Sequence, residues 1–126
     1  MAGPGIPGDS ILLLQGDLIT KASGMSEESV NALHELRKNI MQVAKDEIDN
    51  DVMRNNMITL NKNFIANTPK HILDELEMTE DDVEEGLDIY TGEWMQFFLA
   101  YNPRPTLEHT TIPVLAINGT TDLQVP

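Results

Sequence analysis

The chain has 126 residues, of which 40% are hydrophobic, and its formal net charge is −13. The length suits a single domain, and the absence of cysteine excludes disulfides, thiolate catalysis and zinc sites built on cysteine. A nucleic-acid-binding protein needs positive charge to neutralise phosphates, so this acidic balance excludes that class. No apolar run approaches the roughly 18 residues of a membrane span, so we expect no membrane partner.

Two amphipathic helices are predicted in the first part of the chain. After a glycine- and proline-rich start at residues 1–8, Asp9 or Ser10 can cap the first helix. Its apolar positions cover one broad face: Ile11, Leu12, Leu14, Leu18 and Ile19. Ser26 is a good N-cap for a second helix that runs to about Lys45, and two glutamates follow Ser26 at the positive end of the helix dipole.

Shorter helices are predicted in the middle of the chain. A helix at about residues 52–65 ends before a Thr-Pro pair, because proline disfavours helix in the residue before it. A short helical piece follows within KHILDEL, and TEDD, from Thr79 to Asp82, has the capping-box pattern of a further helix start. Ten acidic residues and no lysine or arginine lie between residues 74 and 93. They indicate either a solvated helix face or a surface that attracts a basic partner.

An aromatic stripe marks the next predicted helix, GEWMQFFLAY, which NPRP ends. Trp94, Phe97, Phe98 and Tyr101 are spaced i, i+3, i+4, i+7, so they share one helix face. The simplest interpretation of such a stripe is helix core. A second interpretation is the wall of an apolar ligand pocket, because Trp and Tyr each carry one polar atom on a large apolar body.

The closing segment IPVLAINGTTDLQVP supports two interpretations. Residues 114–117 are continuously apolar, which is typical of a strand buried in a parallel sheet. Asn118-Gly119 indicates a hairpin, in which Asp122 is only a polar residue of a weak second strand. Alternatively, Asp122 lies on the loop after a parallel strand, where open α/β sheets keep their active sites. A carboxylate there can hold a histidine in the tautomer that activates a serine.

Two other patterns do not indicate a site. Gly3, Gly5 and Gly8 spell the dinucleotide motif G-x-G-x-x-G, but no strand precedes them in the sequence, and Pro4 and Pro7 lack the N–H groups that would cradle a pyrophosphate. The histidines form no metal-binding motif, so no metal site is predicted. Those within helical patterns are expected at the surface or the edge of the core: His34 and His71.

The closing segment resembles the strand-and-acid segment of α/β-hydrolases, in which a P-V-L strand leads to a small turn, to G-x-x-D and then to V-P. The opening MAGPGIPGDSILLLQ is similar to the stretch after the nucleophile elbow, and WMQFFLAYNPRPTLEHTTIPVL is similar to the run that re-enters the sheet in bacterial esterase-like members. The resemblance implies a mainly α fold with one C-terminal β-strand, the rest of the parallel sheet being absent. Residues 1–8 would leave the core sheet, 9–109 would form a helical cap, or lid, and 110–126 would carry the strand and the acid loop back.

The resemblance also implies an activity for a longer parent chain. The catalytic acid of the family falls on Asp122, whereas the nucleophile motif G-x-S-x-G is absent and every histidine precedes Asp122. We therefore expect an inactive fragment of a serine hydrolase that cleaves ester or related acyl bonds through a Ser–His–Asp triad. No cofactor or metal is implied. The cap would bind the small acyl or ester substrate through its aromatic residues: Trp94, Phe97, Phe98 and Tyr101.

A different interpretation is a stand-alone acidic helical module that binds another protein. It predicts a closed helical bundle with a hairpin at Asn118-Gly119. The hydrolase-fragment interpretation predicts instead that the strand edge and the apolar underside of the cap are exposed. Self-association through either surface would cover them, so that interpretation also predicts a homodimer.

Overall fold

The structure is a computed structural model that describes residues 5–115 together with Gly119, Asp122 and Leu123. This part of the chain is mainly helical, as predicted, and contains no strand. Its α-helices are α1 Gly8–Ala22, α2 Glu27–Asp46, α3 Asn50–Asn67, α4 Lys70–Glu75, α5 Glu93–Ala100 and α6 Arg104–Glu108. Two 3-10 helices connect α4 to α5: the first is Glu80–Glu84 and the second is Leu87–Thr91.

Side-chain caps fix the starts of the two longest helices. The Ser26 hydroxyl accepts a hydrogen bond from the amide of Ser29 at 3.2 Å, which confirms the predicted cap of α2. The carboxylate of Asp49 accepts from the amides of Asp51 and Val52, both at 3.0 Å. This cap starts α3 at Asn50, two residues before the first apolar position that marked the helix in the sequence.

Helices α1 and α2 run antiparallel. Asp9, at the start of α1, pairs with Lys45 at the end of α2 at 2.6 Å, and Asp17 pairs with His34 at 2.7 Å. Later residues of α1 therefore face earlier residues of α2. Helix α3 packs on α2, and α5 packs on both α1 and α2. The aromatic helix is thus anchored to the first helical pair.

The core lies where α2, α3, the second 3-10 helix and α5 meet. Its buried residues are Leu36, Ile40, Met41, Ala44, Met53, Met57, Leu87, Met95 and Leu99. Met53 and Met57, one helical turn apart on α3, have no exposed surface. Because methionine is unbranched and flexible, it can fill the irregular space beneath short 3-10 elements.

The acidic segment begins with the predicted capping box. The amide of Thr79 donates to the Asp82 carboxylate at 2.6 Å, and the Asp82 side chain also accepts from the Thr79 hydroxyl at 2.7 Å. The box starts a 3-10 helix rather than the predicted α-helix. Gly86, with φ of 70°, then reverses the chain between the two 3-10 helices, in a left-handed conformation that favours glycine.

The chain after α5 departs from the prediction in two ways. Asn102 to Pro105 end α5 as expected, yet α6 forms at Arg104–Glu108 with Pro105 in its first turn, where the missing N–H has no helical partner to lose. Val114 and Leu115 begin the predicted C-terminal strand, but they adopt no strand conformation and are exposed. The remaining residues of that strand lie outside the described part: Ala116 and Ile117.

Candidate functional site

The outward side of α5 is aromatic, which is unusual for a surface helix. Met95 and Leu99, one turn apart, are buried in the core. Trp94 and Phe97 point away from it, with 68% and 66% of their surfaces exposed, and Tyr101 follows with 43%. We call Trp94, Phe97, Phe98 and Tyr101 the aromatic face. Large apolar side chains grouped on a surface indicate a site that something else covers.

The rings of the aromatic face stack in pairs along the helix. Trp94 and Phe98 lie parallel, with 5.2 Å between centroids and 5° between planes. Phe97 and Tyr101 are tilted by 30° at 5.6 Å. Both pairs have the i, i+4 spacing that makes neighbours on a helix, and both distances are typical of favourable aromatic contacts. The pairing gives the four rings a defined arrangement on the helix surface.

The exposure of the aromatic residues of α5 bears on the two interpretations of the stripe. Helix core is wrong for Trp94, Phe97 and Tyr101, because all three are exposed; only Phe98 is partly buried against the core cluster. The sequence pattern did not distinguish the two sides of α5, because the buried positions, Met95 and Leu99, also repeat at i, i+4. The exposed rings make the aromatic face an open surface. None of its residues lines the described cavity of about 510 Å³ beside the second 3-10 helix.

The segment that follows the aromatic face is also apolar and exposed. Leu107 on α6 exposes 49% of its surface, and Ile112, Val114 and Leu115 expose between 71% and 83%. In a folded chain of this size such residues are usually scattered singly. Here all four lie within the 14 residues that follow Tyr101, the last residue of the aromatic face.

The start of α1 meets the end of α5. The amide of Gly8 donates to the carbonyl of Tyr101 at 3.2 Å. A Cβ atom on Gly8 would lie 1.9 Å from the carbonyl oxygen of Phe98, so only glycine permits this approach. The close approach accounts for the last glycine of G-x-G-x-x-G through helix packing. It also brings the chain that enters the helical part next to the chain that leaves α5.

The predicted catalytic acid lies in the sparsely described C-terminal segment. Asp122 is exposed, and its amide donates to the carbonyl of Gly119 at 3.1 Å. Asn118, the other half of the predicted hairpin signal, lies outside the described residues. The structure therefore brings the four aromatic residues together, and it describes Asp122 with its backbone bond to Gly119.

One cluster combines serine and acid side chains near a histidine and must be weighed as a second candidate. Glu75, on α4, accepts hydrogen bonds from the amide of Ser26 at 2.7 Å, from the Ser26 hydroxyl at 2.6 Å and from the Ser29 hydroxyl. The bonds from Ser26 and then Ser29 lower the pKa of Glu75. A carboxylate with a lowered pKa is a weak general base at neutral pH. The cluster therefore joins α4 to the N-terminus of α2 as a structural cap.

A polar interface between α1 and α2 was not predicted from the sequence. His34 Nδ1 lies 2.7 Å from Asp17 Oδ2, and Arg37 donates to the hydroxyl of Thr20 at 3.1 Å. Burial lowers the pKa of Arg37, and the charge of Asp17 opposes this effect. The sequence signal for this interface was a pair of polar residues, Asp17 and Thr20, that lie three apart among the apolar positions of α1. His34 lies at the core edge, as expected.

Among the described residues, no group of three or more acidic or histidine side chains is arranged to hold a metal ion. None of the described helices is both long and apolar enough to cross a membrane. The exposed aromatic side chains of the described residues all lie on the aromatic face: Trp94, Phe97 and Tyr101.

Comparison of the chain with protein-family models, with curated proteins and with solved structures gives no match. The α/β-hydrolase resemblance consequently rests on the residues of this chain alone: the closing segment with Asp122, the opening residues 1–15, and the run from Trp94 to Leu115.

Proposed function

We propose that this chain is the cap and acid-strand segment of a serine α/β-hydrolase that cleaves ester or related acyl bonds. The helices α1 to α6 would form the cap, and the residues after α6 would return to the core sheet. The observation that carries the proposal is the exposed aromatic face on α5, because a cap needs an apolar underside to close over its substrate.

The energetics of the aromatic face support a covered state. Trp94 and Phe97 each expose about two-thirds of their surface. An aromatic side chain buries roughly 200 Å², so covering each ring would remove about 130 Å² from water. At roughly 25 cal/mol per Å² this is worth about 3 kcal/mol per ring, before the cost of association. A substrate acyl chain held between this face and a hydrolase core would use that free energy for binding.

The path of the chain also suits an inserted cap. A domain inserted into another must receive and return the chain at neighbouring points. The hydrogen bond between the Gly8 amide and the Tyr101 carbonyl brings the two ends of the bundle α1–α5 together. The apolar residues that follow, including Val114 and Leu115, would then continue into the sheet of the parent.

The proposed chemistry gives Asp122 one role. Its carboxylate would accept a hydrogen bond from Nδ1 of a histidine in the parent, and would stabilise the imidazolium when that histidine takes the proton of the nucleophilic serine. The serine and the histidine would come from outside this sequence, which has no G-x-S-x-G motif. Neither step requires a metal or a cofactor.

We also propose that the isolated segment forms a homodimer. The aromatic face, Val114 and Leu115 would remain exposed in a monomer. Pairing of two copies through these surfaces would cover them without any other partner. In the parent, the hydrolase core and the small acyl substrate would take the place of the second copy.

The test of the proposed chemistry uses the parent protein and two matched variants. Asp122→Asn keeps the shape of the side chain but cannot hold the histidine in its active tautomer, so kcat for p-nitrophenyl butyrate should fall about 10⁴-fold. Asp81→Asn, which removes an exposed acid from the cap, should leave kcat within about twofold. Wild-type activity in Asp122→Asn would overturn the assignment of the catalytic acid.

A second test uses the segment itself. A fluorophosphonate probe, which reacts with activated serines, should leave this chain unlabelled after an hour, as judged by intact mass. Labelling of Ser26 would instead identify the cluster with Glu75 as a nucleophilic site, and would contradict a segment that carries only the acid.

A stand-alone binding module is the second candidate function. The observation that favours it is the closed core, in which Met53, Met57 and Leu99 are at most 1% exposed. In that case the aromatic face would bind a protein partner directly. A monomer that unfolds in one cooperative transition and shows no parent activity would favour this candidate.

A further inference from the structure

An exposed acid borders the aromatic face on α5 itself. Glu93 directly precedes Trp94 and lies one helical turn before Phe97, so its carboxylate is next to the exposed rings. Among the described residues, no lysine or arginine forms an ion pair with Glu93. Glu93 is also the last of the ten acids that lie between residues 74 and 93 with no lysine or arginine among them.

Two more acids lie beside α5 at the start of α3. Gln96 Nε2 on α5 donates to Asn50 Oδ1 at 3.4 Å, and Asp49 and Asp51 flank Asn50 in the sequence. Both acidic residues are exposed, and neither forms an ion pair with a lysine or arginine of the described residues. We call Asp49, Asp51 and Glu93 the acidic rim.

The cations nearest to Asp49 and Asp51 in the sequence are paired with other acids. Lys45 Nζ lies 2.6 Å from a carboxylate oxygen of Asp9. Arg54 contacts Glu84 at 2.9 Å and Asp88 at 3.0 Å. The acidic rim therefore keeps its negative charge beside the exposed rings.

We infer that the aromatic face and the acidic rim together dock a basic amphipathic segment of a partner protein. The rings cover the apolar side chains of that segment, and its arginine or lysine residues reach the rim. Arginine also stacks on aromatic rings, and the exposed indole of Trp94 is the best surface for this contact. The inference rests on the second candidate function, the binding module, and names the chemistry of its partner.

Charge distinguishes this partner from other occupants of an apolar surface. A second copy brings the same acidic rim and a net charge of −13, and nucleic acids and anionic membranes are also negative. A basic amphipathic segment gains apolar burial and charge attraction together. Arg104 begins α6 beyond Tyr101, so the negative charge is concentrated at the Glu93 end of the aromatic face.

The test uses Trp94, the single tryptophan of the chain, as its reporter. Titration with a helical peptide of leucine, alanine and arginine should shift the Trp94 emission to the blue until it saturates. A peptide with glutamine in place of every arginine should bind at least about tenfold more weakly in 50 mM NaCl, the combined effect of several exposed ion pairs. At 500 mM NaCl the difference should fall below about twofold. Equal affinities of the two peptides in low salt would overturn the inference.

The ratio of the two affinities also separates this inference from the proposed homodimer. Dimerisation through the aromatic face competes equally with both peptides, so it cancels in the ratio. The dimer should become more stable with salt, whereas the advantage of the arginine peptide should shrink. Failure of either result therefore leaves the other intact, and neither bears on the role of Asp122.

Variants separate the docking surface from the general negative charge of the chain. Glu93→Gln should weaken binding of the arginine peptide about threefold, the effect of one exposed ion pair, and leave the glutamine peptide unchanged. Asp81→Asn removes the same charge from the first 3-10 helix, which packs on α3, and should change affinity by less than about 1.5-fold. Equal weakening by the two variants would overturn the inference.

The apolar part of the surface has its own pair of variants. Phe97→Ser should weaken binding of both peptides at least about tenfold, because one exposed ring is lost while the Trp94 reporter remains. Ile48→Ser, at a residue that is 93% exposed outside the aromatic face, should change neither affinity. Unchanged binding of the arginine peptide to Phe97→Ser would show nonspecific attraction and would overturn the inference.

Vesicles of phosphatidylcholine test a membrane as the occupant of the aromatic face. They should leave the Trp94 emission unchanged. A blue shift as large as that produced by the arginine peptide would identify a lipid surface as the occupant and would overturn the inference.

Discussion

The packing of α1 against α5 requires a glycine at position 8. A Cβ atom there would lie 1.9 Å from the Phe98 carbonyl oxygen, which belongs to the backbone and cannot rotate away. Alanine would therefore force α1 and α5 apart and weaken the bond between the Gly8 amide and the Tyr101 carbonyl. In the sequence, Gly8 belongs to a G-x-G-x-x-G pattern that does not indicate a nucleotide site, and the reason for this glycine appears only in the packing of α1 against α5.

Gly8→Ala should destabilise the protein by about 1–3 kcal/mol, the usual range for forcing extra atoms into a packed interface. Urea unfolding followed by circular dichroism measures this value. Gly5→Ala is a suitable control, because its Cβ would lie 4.0 Å from the nearest atom, an ordinary contact, and the change should stay within about 0.5 kcal/mol. Equal stability of Gly8→Ala and wild type would contradict the close approach of α1 and α5.

Glu75 makes the stability of the α2–α4 contact depend on pH. Hydrogen bonds from Ser26 and Ser29 lower its pKa below the ordinary value of 4.5. A lowered folded-state pKa means that the stabilisation is present above pH 4.5 and is lost as pH falls through the folded-state pKa. Glu75→Gln should therefore lower the urea midpoint at pH 7 and flatten its decline in acid. Asp81→Asn should follow the wild-type curve. A Glu75→Gln curve parallel to that of wild type would show that Glu75 is not the source of the pH dependence.

At the scale of the elements, the sequence predicted the long helices well and the short ones less well. Helices α2 and α3 combine apolar periodicity with polar caps, Ser26 and Asp49, and their bounds follow from those local signals. The sequence located α5 correctly. It did not show that the aromatic stripe faces outward, because both sides of the helix are apolar. Which side meets α1 and α2 is decided by long-range packing that no local pattern records.

The cap of α3 offers a direct test of this local reasoning. Asp49→Ala removes the acceptor for the amides of Asp51 and Val52, and should cost about 1 kcal/mol of stability. Asp49→Asn keeps a capping oxygen and should lie within about 0.3 kcal/mol of wild type. Denaturant midpoints of the three proteins provide the comparison. If asparagine destabilises as much as alanine, charge rather than capping accounts for the role of Asp49.

At the scale of the whole molecule, two properties act against each other. A net charge of −13 makes two copies repel, whereas the aromatic face and the residues after α6 favour association. Added salt screens the repulsion and leaves apolar attraction in place. The resemblance predicted this association, and the structure adds the exposed aromatic surface on α5.

Light scattering on a size-exclusion column tests that balance. The chain should form a dimer at micromolar concentration, and the dimer should become more stable between 50 and 500 mM NaCl because screening lowers the repulsion. Replacing Trp94 and Phe97 together by serine should weaken dimerisation at least tenfold, or by about 1.4 kcal/mol, since both rings leave the interface.

Ile48→Ser is the matched control for this experiment, because Ile48 is a large apolar residue that is 93% exposed in the loop between α2 and α3 and does not belong to the aromatic face. It should leave the dimer unchanged. A dimer that survives loss of both aromatic rings would move the contact to the segment around Val114 and Leu115. A monomer at every concentration and salt would count against an orphaned cap surface, and would make the aromatic face a docking site for a different protein.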